Sequence, residues 1–420
     1  MKKGLLLSVV ASSVLMAGGD IAPVAAEPAE VPVVVEESMW DFSGQAVLYY
    51  QTVDSFGAGD LFDQEQSLAN AGIQLNAIGN LGAGFGAGFQ LTGLGTLGLQ
   101  ENIVSKTMQM AGDNLNDAAI TKAYLTWGTE GTTVKFGRQA LPKSLSPFAW
   151  SESWNVFQNT YEGALIVNTS LPDTTLVGAW VNKANTNGVF MGSNLNDFDK
   201  LNGSDGIYMI TAQNKSIDGL TLTGSYYFAS EMMGEKDINA EDLDILWGSA
   251  EYATANLPVT VGVQGGTVTS DAFENDTTAF GAKIGGNIGM FSALVAYSTV
   301  DDGDSGVFNV GGVKTPLYTQ MILNQNFIAQ DADTILVKGV VKALGGKFIA
   351  QYGMTTQNAV SFENDNGGVF TLEQDYNEFD FIYKTKIGED WTLLGAYVNQ
   401  DVEAKEDSNN VIRFWARYNF

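Results

Sequence analysis

The 420 residues contain no Cys and no His, which removes disulfides, thiolate or imidazole metal sites and every Ser-His nucleophile. Formal charge is −27, with 48 acidic against 21 basic side chains; such a chain is poor in the basic patches that bind phosphate backbones, so nucleic acid is not an expected partner. Only 16% of residues are charged, Gly is abundant at 48 and Pro scarce at 8, a balance unusual for a soluble domain but natural where apolar and polar faces alternate through a membrane.

Met1 to Ala26 reads as a secretory signal peptide. Lys2 and Lys3 form the charged n-region, Leu5 to Met16 the apolar h-region and Val24-Ala25-Ala26 the small-residue cleavage site. The apolar run is shorter than the roughly 20 residues of a spanning helix, and without Cys there is no lipoprotein acylation site. Residues 27–39, rich in Glu and Pro, form an expected short periplasmic leader.

From there the chain is predicted to be all-β. Strands are expected at 40–52, 67–78, 84–98, 117–128, 133–139, 161–170, 175–183, 206–214, 220–230, 243–253, 259–267, 278–287, 291–300, 333–343, 347–355, 375–386, 391–400 and 409–420. Their connections fall into two kinds. Tight turns built from Gly, Pro, Asn and Asp, such as Gly79-Asn80-Leu81-Gly82, Ala255-Asn256-Leu257-Pro258 and Leu344-Gly345-Gly346, suit sharp reversals. Longer polar loops, such as 101–116, 140–160, 184–205, 231–242 and 301–332, alternate with them. Short periplasmic turns alternating with long external loops describe a transmembrane antiparallel β-barrel of about 18 strands with outer-membrane lipid around it.

Period-two patterning supports this. Leu220, Leu222, Tyr226 and Phe228 oppose Thr221, Thr223, Ser225 and Tyr227. Parity directs Lys122, Lys283, Lys338, Lys342, Lys384, Arg413 and Arg417 to the lumen, together with Glu162, Glu251, Glu378 and Asp380. A lipid-facing Lys or Arg at mid-bilayer costs about 2–4 kcal/mol, which supports the same assignment. Arg138 shares parity with Val134 and Phe136, so a bulge at the external strand end is expected to turn it inward.

Loop 140–160 carries Leu141, Leu145, Phe148, Trp150, Trp154, Val156 and Phe157, too apolar for a solvated loop. It is expected to fold into the lumen, with an external cap or oligomer contact as the alternative. Its charges are Lys143 and Glu152; Glu152 is expected to face wall cations across the narrowest point and help set selectivity. Acidic clusters at Asp301-Asp302-Gly303-Asp304 and Asn364-Asp365-Asn366-Gly367 offer oxygen ligands for Ca²⁺, but neither has the full EF-hand spacing, and a solvated acidic surface is the favoured reading.

The last strand ends on an aromatic. Ile412, Phe414, Ala416, Tyr418 and Phe420 share one face and Arg413, Trp415, Arg417 and Asn419 the other. Phe414, Tyr418 and the terminal Phe420 resemble the C-terminal assembly signal of bacterial outer-membrane proteins, which implies the barrel-assembly machinery as a partner.

Lys135-Phe136-Gly137-Arg138-Gln139, a Ser-, Pro- and aromatic-rich loop, and then Thr160-Tyr161-Glu162-Gly163 resemble OprD-like outer-membrane porins. In that family a K-x-G-R-Q strand end precedes a long loop and a T-F-E-G strand start; Tyr161 stands where Phe is usual. The resemblance implies a water-filled channel for passive diffusion of small hydrophilic solutes and ions in a Gram-negative outer membrane. The dense Arg row of the family's wall is missing, so basic-amino-acid specificity is not carried over. An adhesin or structural surface protein is the alternative. An enzyme is not expected, since no His general base exists, and no cofactor is expected beyond the Ca²⁺ reading. A homotrimer remains open beside a monomer. Distant loop carboxylates are screened beyond a Debye length, so a weak cation preference that fades as salt rises is expected.

Overall fold

The computed structural model describes residues 39–185, 193–203, 205–233, 240–254, 258–363 and 369–420. The signal peptide, almost all of the leader, the turn 255–257 and Asn364-Asp365-Asn366-Gly367 lie outside the described residues.

Eighteen long strands follow one another in antiparallel order. They are β1 Trp40–Val53, β2 Ser67–Gly82, β3 Phe85–Gly95, β4 Asp117–Thr129, β5 Thr132–Gln139, β6 Tyr161–Asn168, β7 Thr174–Ala184, β8 Ile207–Asn214 and β9 Leu220–Met233. The second half comprises β10 Glu241–Ala253, β11 Val259–Thr269, β12 Thr277–Ile288, β13 Phe291–Val300, β14 Ala332–Ala343, β15 Gly346–Glu363, β16 Val369–Ile387, β17 Trp391–Val402 and β18 Asn409–Asn419. Each pairs with the next, and β1 pairs with β18 from Gln45↔Asn419 to Val53↔Val411. That last pairing closes the barrel and abolishes both sheet edges, the condition for crossing lipid with strands. Hairpins at one end are tight; Leu344 and Gly345, both at positive φ, turn β14 into β15 as two-residue hairpins require.

The outward face is apolar. Leu125, Phe136, Ile210, Leu246, Ile284 and Phe291 are all more than half exposed, which is lipid-facing surface in a barrel and would be an aggregation hazard in water. Tyrosines stand near the external strand ends with their hydroxyls tied down: Tyr226 to Asp244, Tyr297 to Asp333 at 2.5 Å and Tyr397 to Asn410 at 2.6 Å. An apolar ring with an anchored polar tip belongs at the membrane–water interface.

Predicted and observed strands differ most at β15 and β16, which reach Glu363 and start at Val369 rather than stopping at 355 and starting at 375. Apolar alternation marks only the part of a strand that touches lipid. Backbone pairing continues beyond it, where Gln374 donates to Gln357 across the hairpin at 3.0 Å.

Two long loops leave the rim and fill the barrel. The first is 140–160, with Phe148, Trp154, Val156 and Phe157 buried. The second is 301–331, which its acidic start had marked as an external polar loop. Asp301 and Asp302 are exposed at the rim, but Val307, Leu317, Met321, Ile322, Leu323 and Ile328 are buried inside. The inner wall meets these loops with apolar side chains. Val177, Val181, Ile207, Met209, Ile245 and Trp247 pack with Leu141, Phe148, Val307 and Leu317, while Val47, Leu394, Val398 and Val411 pack with Trp154, Val156, Phe157 and Ile322. Beneath the loops the lumen wall thus carries apolar patches beside buried polar side chains such as Gln51, Glu378 and Arg413.

Candidate functional site

The site is the channel interior, built where loop 140–160 meets loop 301–331. Glu152 joins them. Its Oε1 accepts from Asn309 Nδ2 at 2.7 Å and from the backbone N–H of Val313 and Lys314, each at 2.8 Å, while its Oε2 accepts from Trp154 Nε1 at 3.1 Å. Asn309 also receives the Trp150 N–H at 2.9 Å and returns its own amide to the Trp150 carbonyl at 2.9 Å. The Tyr161 hydroxyl donates to the Val310 carbonyl at 2.7 Å and lies 3.0 Å from that of Trp150. Four donors on one buried carboxylate are a charge-assisted lock between loops. Burial pushes the Glu152 carboxyl above its usual range, against the pull of Asn309, the backbone donors and Lys314.

This corrects the expected role of Glu152. At 1% exposure it does not face the conduction path. Lys143, the other charge on the loop, is half-buried over the Trp150 ring at 4.5 Å and donates to the Thr315 carbonyl at 3.2 Å. Lys314 is buried too, donating to the carbonyls of Met321, at 3.1 Å, and Ile322.

Wall residues hold the loops in place. Arg413 donates to the Trp154 carbonyl at 3.2 Å and to Gln51 Oε1 at 2.6 and 2.9 Å; Arg417 donates to the Asn155 carbonyl at 3.0 Å. Parity placed both on the inner face, but they grip loop backbone instead of forming a ladder exposed to solutes. Loop 96–116 braces the same segment: Gln109 donates to the Phe157 carbonyl at 3.0 Å and accepts its N–H at 2.9 Å. Lys122 and Lys338 are also buried on the inner face.

The inner carboxylates are each engaged. Glu251 pairs with Lys283 at 2.7 Å and accepts from Tyr318 at 2.8 Å. Glu378 accepts the Leu323 N–H at 2.9 Å and the Tyr376 hydroxyl; Asp380 accepts from Gln351 at 2.5 Å. Glu378 and Asp380 are fully buried, with the N–H of Leu323 from loop 301–331 on the former.

Three inner lysines that are not buried stand together. Register pairs Lys342 with Lys347 and Lys347 with Lys384, so three ammonium groups cross β14, β15 and β16 in one row beside the tight-turn end. None of the three is buried, and Lys384 lies 5.6 Å from the centre of the Trp415 ring. Lys347 escaped the sequence reading, although it opens β15 on the same inward parity as Ile349.

Arg138 and Glu162 are not in the channel. Tyr161 points inward, so Glu162 points outward, and Arg138 pairs with it. Phe136, two residues before Arg138, is 60% exposed to the outside. Gly137 does take a positive φ of 122°, but the alternation continues through it. The expected inward turn of Arg138 and the lumen position of Glu162 are both overturned, and the pair meets at 2.6 Å on the outer wall.

At the C-terminus, Phe414 is half exposed on the lipid face, and Tyr418 lies between Trp391 and Phe420, with ring centroids at 4.9 and 5.8 Å. The Phe420 backbone exchanges both hydrogen bonds with Gly44, at 2.7 and 3.0 Å. The last residue thus takes part in barrel closure.

A comparison with curated proteins found no match. Solved structures do match in fold. Pseudomonas aeruginosa OccK8 (OprE) superposes with a TM-score of 0.67 at 16% identity, covering 91% of this chain and 98% of that one. Acinetobacter baumannii OccAB2 gives 0.67 at 14% identity over 91% and 98%. Pseudomonas aeruginosa OpdK, solved with vanillate, gives 0.68 at 14% identity over 90% and 98%. The family model described as Gram-negative porin matches residues 6–419, nearly the whole sequence. With a closed barrel, lumen-filling loops and that match together, the chain belongs to the Gram-negative porin family.

Proposed function

We propose that this outer-membrane porin passes small hydrophilic solutes with a preference for anions, and that the Lys342–Lys347–Lys384 row is what sets it. The observation carrying this reading is an asymmetry of accessibility. Glu152, Glu378 and Asp380 are buried under loop contacts, and Glu251 is neutralised by Lys283, while the lysine row is not buried. Charges lining a pore act on ions at every salt level, whereas acidic loops outside it are screened beyond about 8–10 Å. The weak cation preference expected from net charge therefore gives way to an inner anion preference, opposed by the acidic mouth at low salt. A small carboxylate is the natural first probe, and one structural neighbour was solved with vanillate.

Reversal potentials across a planar bilayer in a salt gradient test this. Anion preference that strengthens as salt rises is expected, with Lys347→Glu/Lys384→Glu reversing the sign. Cation selectivity at all salt levels would discard the reading, and absence of any conductance would return the adhesin alternative.

A further inference from the structure

One row of charges stands on the side of the wall where a channel has no use for it. Register pairs Arg138 with Glu162, Glu162 with Lys183 and Lys183 with Lys200. Four charged residues thus lie side by side on β5, β6, β7 and the two-residue strand Asp199–Lys200, all at the external rim. They face outward, since Tyr161 beside Glu162 points into the lumen and Ala184 beside Lys183 is fully buried. Arg138 donates to Glu162 at 2.6 Å and to the Ile120 carbonyl at 2.8 Å, and its guanidinium lies over the Phe198 ring at 3.9 Å. Lys183 reaches the same carboxylate at 3.5 Å. Lys200 is exposed and makes no hydrogen bond or ion pair among the described residues. Three cations against one carboxylate leave the row positive in a chain of charge −27.

Its height is set by its neighbours. Trp180, three residues before Lys183, pairs with Tyr208, and its indole donates to the Asp205 carbonyl at 2.8 Å. Such aromatics mark the membrane–water interface, so the row stands just beyond it, level with outer-leaflet headgroups. Elsewhere at this rim the outward charges include carboxylates, with Asp244 accepting from Tyr226 and Asp333 from Tyr297.

We propose that Arg138, Lys183 and Lys200 form a binding site for the phosphorylated headgroup of an outer-leaflet lipid. Paired residues on adjacent strands stand about 5 Å apart, a spacing that one phosphate group bridges with charge-assisted hydrogen bonds from two ammonium groups. Phe198 and Glu162 hold the Arg138 guanidinium in a fixed plane, the geometry in which arginine presents paired donors to a phosphate. Below the row, Phe136, Ile166 and Tyr208 offer an exposed apolar wall to acyl chains, which free phosphate cannot use.

The test is native mass spectrometry of the full chain in detergent with bis-phosphorylated lipid A, and with the same lipid dephosphorylated. Lys183→Gln/Lys200→Gln is expected to weaken binding of the phosphorylated lipid about tenfold while conductance is unchanged. Glu162→Gln removes the internal counter-charge and is expected to tighten binding about threefold. Equal affinity of the double variant and the parent, or equal binding of the two lipids, overturns the proposal, as does displacement of the lipid by inorganic phosphate at equal concentration. Should the double variant not fold, Glu162→Gln decides: unchanged or weaker binding overturns it.

Discussion

Loops 140–160 and 301–331 end in the same lumen by different sequences. The first interleaves apolar and aromatic residues with serines and amides and contributes one carboxylate, Glu152. The second opens on Asp301, Asp302 and Asp304, and only its middle, from Val307 to Ala329, goes inside. The first supplies the acceptor for the lock and the second most of its donors. A loop's destination is thus decided by what its centre can bury and satisfy, and charged shoulders at the rim say nothing about it.

The comparison breaks most openly if one partner is removed. Replacing 307–329 with a short Gly-Ser link should raise single-channel conductance several-fold, because the loop occupies lumen and its loss also frees Glu152; unchanged conductance would mean that loop 301–331 does not limit the path.

Glu152→Ala should cost about 3 kcal/mol or more by stranding buried donors on both loops, read as earlier thermal unfolding and noisier current. Glu152→Gln keeps an acceptor for the three donors on Oε1 and sets an amide against Trp154, so about 1–2 kcal/mol is expected. Burial holds the folded Glu152 carboxyl above its usual value. The folded state therefore binds that proton more tightly than the unfolded one. Its contribution to stability is fullest below the unfolded range, near 4.3, and declines as pH rises through the folded one. The Gln variant should flatten that part of the pH–stability curve.

Accessibility sharpens the contrast further. Lys384→Cys should react with a small anionic thiol reagent within minutes and lower anion current, whereas a Cys at position 152 should react far more slowly because the loops cover it. Comparable rates would place Glu152 in the conduction path after all.

The smallest effect is expected at the seam. Deleting Phe420 removes its two backbone hydrogen bonds to Gly44 and its packing on Tyr418, about 1–2 kcal/mol of closure. The heat-modifiable folded fraction should fall without any change in conductance of the channels that do form.

Much of the site was legible only in outline. Parity put Lys338, Lys384, Arg413 and Arg417 on the inner face, yet nothing local distinguishes Lys384, which stays accessible, from Arg413, which the Trp154 carbonyl covers. Arg138 and Glu162 carried a family-like motif, and that motif says nothing about which way the pair points. The uncharged stretch from Leu317 to Ile328, with Met321, Ile322 and Leu323 at its centre, was a readable signal for the second inward loop, and the acidic residues ahead of it masked it.

The sequence by itself determined the barrel. Lipid demands an apolar residue at every second position and turn residues at every reversal, so strand order, strand count and the inward or outward parity of most residues are written locally. Only the tertiary structure decided how the lumen is filled and which of its charges meet solvent. Those outcomes depend on partners far apart in the chain: Glu152 and Asn309, 157 residues distant, meet only after the barrel has closed around both loops.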